Sequence, residues 1–207
     1  ASADVVAERL APDGAAPGVV ETMDVVLARE AAQPAEAPAH AVNHRGEWAV
    51  PSRGATGTAH TGDKYIVNKW GDPSMGIRFP AAVDVMGVFI AGQGGPEVWA
   101  RGVRAIGYRD GAEVARTDWF EDIGTRFRWM ALGLQGIDRL VLEAQPAVRG
   151  AGWYKLDDLV YRPAGETPVV LSFEDLPYRA KLTGGAYGGL VWEEGEGEYA
   201  AGEALPP

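Results

Sequence analysis

The chain has 207 residues, 46% of them hydrophobic, with 28 Gly, 14 Pro, no Cys and a formal charge of −10. Apolar content this high excludes a wholly disordered chain, and the lack of Cys excludes a disulfide scaffold, a thiolate metal site and a cysteine nucleophile. Net acidity argues against a nucleic-acid partner, which needs clustered Lys and Arg, and no apolar run reaches the roughly 20 residues of a membrane span.

The charge is unevenly spread. Residues 1–42 carry net −5, residues 43–165 net +1 and residues 166–207 net −6, so the acidity belongs to the two ends. The first segment is rich in Ala and Pro. A short helix starting near Ala3 would be stopped by Pro12, Asp13 and Gly14. Residues 19–28 read as a strand, and residues 31–38 as a linker. The start Ala1-Ser2-Ala3 lacks the charged and apolar regions of a signal peptide, although its small residues would suit a processed end.

The middle is dense with strand candidates: 64–70, 76–79, 83–91, 98–109, 112–119, 127–132, 137–145 and 153–161. Gly- and Pro-containing breaks separate them. Asp110-Gly111 is a strong two-residue hairpin signal, because both residues tolerate positive φ. Short strands at this spacing, with no convincing long helix, predict an all-β, antiparallel jelly-roll β-sandwich over 43–165, with β-forming extensions at both ends.

Residues 166–207 read as the start of a second repeat. The segment 167–175 is similar to 18–24, and Tyr187-Gly188-Gly189-Leu190-Val191-Trp192 is placed like Gly46-Glu47-Trp48-Ala49-Val50. Val169, Leu171 and Phe173 would form one apolar face of a strand needing a sheet to join. That strand could complete its own domain or pass as a donor strand into another copy, giving an open polymer.

Several segments carry a family resemblance. Val169-Val170-Leu171-Ser172-Phe173-Glu174-Asp175-Leu176-Pro177, with Tyr187 to Trp192, resembles the opening of secreted jelly-roll domains of bacterial and fungal exported proteins. Ile106-Gly107-Tyr108-Arg109-Asp110-Gly111, Ile137 to Leu142 and Trp153 to Tyr161 resemble the later and closing strands. The opening motif here follows the closing strand, which departs from the family order. The resemblance implies a sandwich related to carbohydrate-binding, galactose-binding-like modules, often with structural Ca²⁺, and an extracellular or cell-surface location.

Asp157-Asp158 is the candidate metal site. Strict alternation would put Asp158 on the face of Tyr154, Leu156 and Val160, where a carboxylate needs a partner or a cation. Ca²⁺ takes six to eight oxygen ligands, and by the resemblance further ligands would come from Glu21 or Glu174 of an opening strand. Of seven Trp, most are expected in the core, while Trp99 and Trp119 flank loops and are the candidates for stacking on sugar rings. Glu121, Asp122 and Glu143 are acids at strand ends with no spacing that marks a glycosidase pair. No serine–histidine motif is present, and the glycines at 92–95 lack the Lys-Ser/Thr of a phosphate loop. The sequence therefore reads as a non-enzymatic module whose partner is a polysaccharide or cell-surface glycan, with self-assembly as the alternative.

Overall fold

The computed structural model describes residues 44–54, 57–146, 152–195 and 198–199, all within the unit spanning 41–207. The strand expected at 19–28, with Glu21 and the 18–24 part of the suggested repeat, lies outside the described residues.

The described chain is all-β. In order the strands are β1 (His44–Arg45), β2 (Glu47–Ala49), β3 (Ile66–Lys69), β4 (Ser74–Gly92), β5 (Gly102–Arg109), β6 (Ala112–Arg116), β7 (Phe120–Glu121), β8 (Arg128–Ala144), β9 (Tyr154–Pro163), β10 (Val169–Leu171), β11 (Ala186–Tyr187), β12 (Leu190–Trp192) and β13 (Glu198–Tyr199). All strand pairs are antiparallel, in the order β2-β3-β9-β4-β8-β5-β6, with β10 beside β9, β12 beside β4 and β7 beside β5. The hairpin expected at Asp110-Gly111 is present: φ is 51° and 80° at the two residues, and β5 and β6 pair from Arg109 and Ala112 outward.

Two pairs of expected strands are single long ones. The segments at 76–79 and 83–91 are both β4, and those at 127–132 and 137–145 are both β8. Each long strand is interrupted by bulges instead of ending. Between Arg78 and Val83 the register with β8 slips, at Pro80, which has no N–H to give the ladder. On β8 the slips fall near Gly133 and Gly136, both with left-handed φ. The first part of β4 therefore lies between β12 and β8, and the second part between β9 and β8. Ile77, Leu140 and Leu142 from one part join Val88, Ile90, Met130, Leu156 and Leu159 from the other in one buried core. This antiparallel arrangement is compatible with a β-sandwich.

The C-terminal segment enters the same core. β10 pairs with β9 through Val169↔Tyr161 and Leu171↔Leu159, and Val191 and Trp192 pair with Arg78 and Ile77 of β4. Phe173 and Trp192 are fully buried and meet edge to face at 5.8 Å. Trp192 also meets Trp48 edge to face at 5.8 Å, and Trp48 donates its Nε1–H to Gly76 O at 3.0 Å. Residues 169–192 thus complete the sheet of their own chain, the first of the two courses open to the 169–173 strand. Phe173 does not continue the strand. Its φ of 63° ends the alternation, and burial, not strand pairing, fixes it.

Candidate functional site

Leu156 and Leu159 both face the core, three residues apart, so β9 cannot keep a strict two-residue period between them. Gly87 lies opposite Val160, and Phe89 opposite Asp157, so β9 carries one extra residue, a bulge at Asp158 with φ 47°. Aspartate tolerates that left-handed conformation better than most residues. The bulge puts Asp157 and Asp158 together on the face opposite Leu156, so Asp158 leaves the face that strict alternation would have it share with Tyr154, Leu156 and Val160.

Both carboxylates hold the loop before β3. Asp157 is fully buried. Its Oδ2 accepts the backbone N–H of His60 (2.8 Å) and Thr61 (3.1 Å), and its Oδ1 accepts that of Asp158 (2.9 Å). Burial pushes the Asp157 carboxyl up to about 6, against the lowering effect of these hydrogen bonds. Asp158 accepts the Thr61 hydroxyl at 2.9 Å and faces His60 Nδ1 at 2.7 Å. Glu174 holds the other end of the same loop by accepting the N–H of Asp63 (3.1 Å) and Lys64 (2.8 Å). Gly62 at the turn has φ 58°, and a Cβ there would come within 2.4 Å of the Glu174 carboxyl carbon.

The expected Ca²⁺ set does not fit these residues. A calcium ion needs six to eight free oxygens, whereas Asp157, Asp158 and Glu174 accept N–H and O–H donors from the 60–64 loop. No group of three or more His, Asp or Glu suited to a metal stands together among the described residues. Glu21 lies outside them.

The loop lies on a row of aromatic rings. His60 stacks on Phe89, with centroids 3.4 Å apart and planes 13° apart. Phe89 in turn meets Trp129, its cross-strand partner on β8, at 5.1 Å. At the other end, the Lys155 ammonium sits 4.8 Å from Tyr65 and 4.9 Å from Phe127, and burial pushes its pKa down. Trp129 is 40% exposed and Met86 42%, on the outer side of a sheet whose inner side carries Val88, Ile90 and Met130. Gly87 makes room for the indole: a Cβ there would lie 2.3 Å from Trp129 Cζ2. Beyond Met86 the face runs into a cavity of about 300 Å³ lined by Asp84, Gly133, Gln135 and Arg162. Arg162 and Asp84 pair at 2.8 Å, and the pairing holds the Asp84 carboxyl below its usual range.

The tryptophans chosen from the sequence are less open. Trp99 is half-buried against Gly92, where a Cβ would come within 2.6 Å of the indole, and its backbone bridges to Trp153. Trp119 is half-buried, with the Arg104 guanidinium 4.5 Å from its ring centre. The exposure expected of these two belongs to Trp129. A larger cavity, about 600 Å³, lies where β4 bends at Phe79 to Ala82. Its polar groups are already engaged: Arg78 with Glu193, Arg109 with Gly136 O, and Asp138 with the N–H of Asp110. The assembly residues Val169, Leu171 and Phe173 are packed within their own chain.

No family model, curated protein or solved structure matches the chain. Among the described residues, no helix is long and apolar enough to cross a membrane.

Proposed function

We propose that this protein is a non-enzymatic, extracellular module of jelly-roll type that binds glycan through the outer face of β8, β4 and β9. The observation that carries this reading is the exposed Trp129 indole, set over the bare backbone of Gly87 and braced by Phe89. Sugar rings present apolar C–H faces, and an indole fixed in this way offers a flat surface for them at little entropic cost. Polar groups flank the ring. Gln135 and Arg162 line the cavity beyond Met86. A few polar groups around an apolar surface are the usual composition of a small-ligand site.

The test is affinity electrophoresis through native gels containing soluble xylan, mixed-linkage β-glucan, galactomannan, pullulan or alginate. The expected result is retardation in at least one gel, abolished in Trp129→Ala and kept in Trp99→Ala and Trp119→Ala. Equal mobility in every gel would overturn the reading.

A further inference from the structure

We propose that Phe89 is a second stacking position of the glycan site, and that the 57–64 loop is a strap whose His60 ring occupies it until a sugar displaces it. This deepens the glycan reading and rests on it. Three observations lead to it. First, the imidazole lies parallel to Phe89 at 3.4 Å, the arrangement a ring-shaped ligand would adopt. Second, Phe89 is contiguous with the exposed Trp129, so lifting His60 would extend a one-ring surface into two neighbouring rings. Third, the strap is fixed mainly by polar bonds, one set to the buried Asp157 and the rest to Asp158 and Glu174. Asp157, Asp158 and Glu174 take its N–H and O–H groups, and all of these groups can turn to water when the strap lifts. No side chain of residues 57–64 belongs to the hydrophobic core, and His60 is itself exposed. Local opening without loss of the sheet is what such a segment permits.

The strap sets the affinity. A site whose competent form is a fraction of the population binds with its affinity reduced by that fraction. If the strap is closed about 90% of the time, freeing Phe89 tightens binding about tenfold. The energetic asymmetry is local: His60→Ala removes the competing ring but leaves the backbone N–H groups of residues 60 and 61 on Asp157.

Two measurements test this independently. In the free protein, amide hydrogen exchange is followed at Thr61 and Lys64 against Ile90 and Leu156. The expected result is exchange at Thr61 and Lys64 that is insensitive to low urea and much faster than at the two strand positions. Exchange of all four only with global unfolding would mean that the strap does not lift, and would overturn the proposal whatever the protein binds. In the gels described above, His60→Ala is expected to be retarded about tenfold more strongly than the parent, in affinity terms, by the same polysaccharide. Unchanged or weaker retardation would assign His60 to the binding surface and overturn the strap. Retardation of neither protein, with a strap that opens, would instead remove the glycan reading.

Discussion

His60 Nδ1 stands 2.7 Å from Asp158 Oδ2, joining the loop before β3 to the bulge in β9 across 98 residues of sequence. The contact exists because β9 carries one residue more than β4 opposite it. Without the bulge Asp158 would face Leu156 and the core, and His60 would have no acceptor. The same displacement leaves Asp157 buried beside it, so one irregular residue creates the carboxylate pair, the loop anchor and the edge of the aromatic face.

Trp129→Ala should remove glycan binding at little cost to the fold. The residue is 40% exposed, so its loss should cost the fold less than the loss of a core tryptophan. Trp48→Ala and Trp192→Ala should behave in the opposite way, since both indoles are fully buried. Each should cost about 3–5 kcal/mol. Urea unfolding of the three variants, alongside gel retardation, separates the two classes.

Gly87→Ala tests whether the indole needs the bare backbone beneath it. The added Cβ would meet Trp129 Cζ2 at 2.3 Å and Met130 O at 2.6 Å, so the ring must lift and the strands must give slightly. The expected result is a folded protein, by circular dichroism, with retardation reduced as in Trp129→Ala. Full retardation would show that the ring tolerates a displaced position.

Asp157 predicts a specific dependence on pH. Its carboxyl titrates at about 6 in the folded chain and near 3.8 when unfolded, so the native state holds this proton more tightly. A raised carboxyl destabilises the fold once ionised. Its effect on stability is therefore most favourable below about 4 and is lost as pH rises through 6, to a total on the order of 3 kcal/mol. Asp84, Glu47 and Glu113 have lowered values and work in the opposite direction, chiefly below pH 4. Between pH 4.5 and 7 the parent should lose stability relative to Asp157→Asn as pH rises. The amide also places a donor against one of the N–H groups that Asp157 accepts, so the slope, and not the absolute stability, is the quantity to compare by urea titration. Parallel slopes would contradict the burial cause.

Removal of residues 166–207 should unfold the domain. Leu171, Phe173, Leu182, Leu190 and Trp192 are all buried, and large buried side chains contribute about 2–5 kcal/mol each. Their sum, about 10–25 kcal/mol, matches or exceeds the roughly 5–15 kcal/mol that holds an ordinary domain together. The truncated chain should lack a cooperative thermal transition. A stable truncated monomer would restore the segment as a separable extension.

Alternation and turn chemistry made most strands readable, and the Asp110-Gly111 hairpin most clearly, because two residues with positive φ leave few other structures. The gaps at 80–82 and 133–136 read as strand ends, but bulges absorb such residues without ending a long strand. The Asp158 bulge was not legible at all: Leu156-Asp157-Asp158-Leu159-Val160 contains no glycine, and only the partner strand reveals the extra residue. Trp129 could have been found. Met130, Leu132 and Leu134 set the core face of β8, which puts Trp129 and Ala131 on the other face. Trp99 and Trp119 drew attention through nearness to loops, a weaker guide to exposure than the alternation of the strand itself. His60 gave no signal, since its role depends on Phe89 and Asp158, distant in sequence.

The most direct test is a titration, followed through the indole Nε1–H resonances of the seven tryptophans in two-dimensional ¹H–¹⁵N spectra, each assigned by single substitution. The titrant is an oligosaccharide of six residues made from whichever polysaccharide retards the protein. The account predicts that the Trp129 resonance shifts progressively to saturation, while those of Trp99, Trp119, Trp48 and Trp192 stay in place. Saturable shifts at Trp99 or Trp119 with Trp129 unmoved would contradict it.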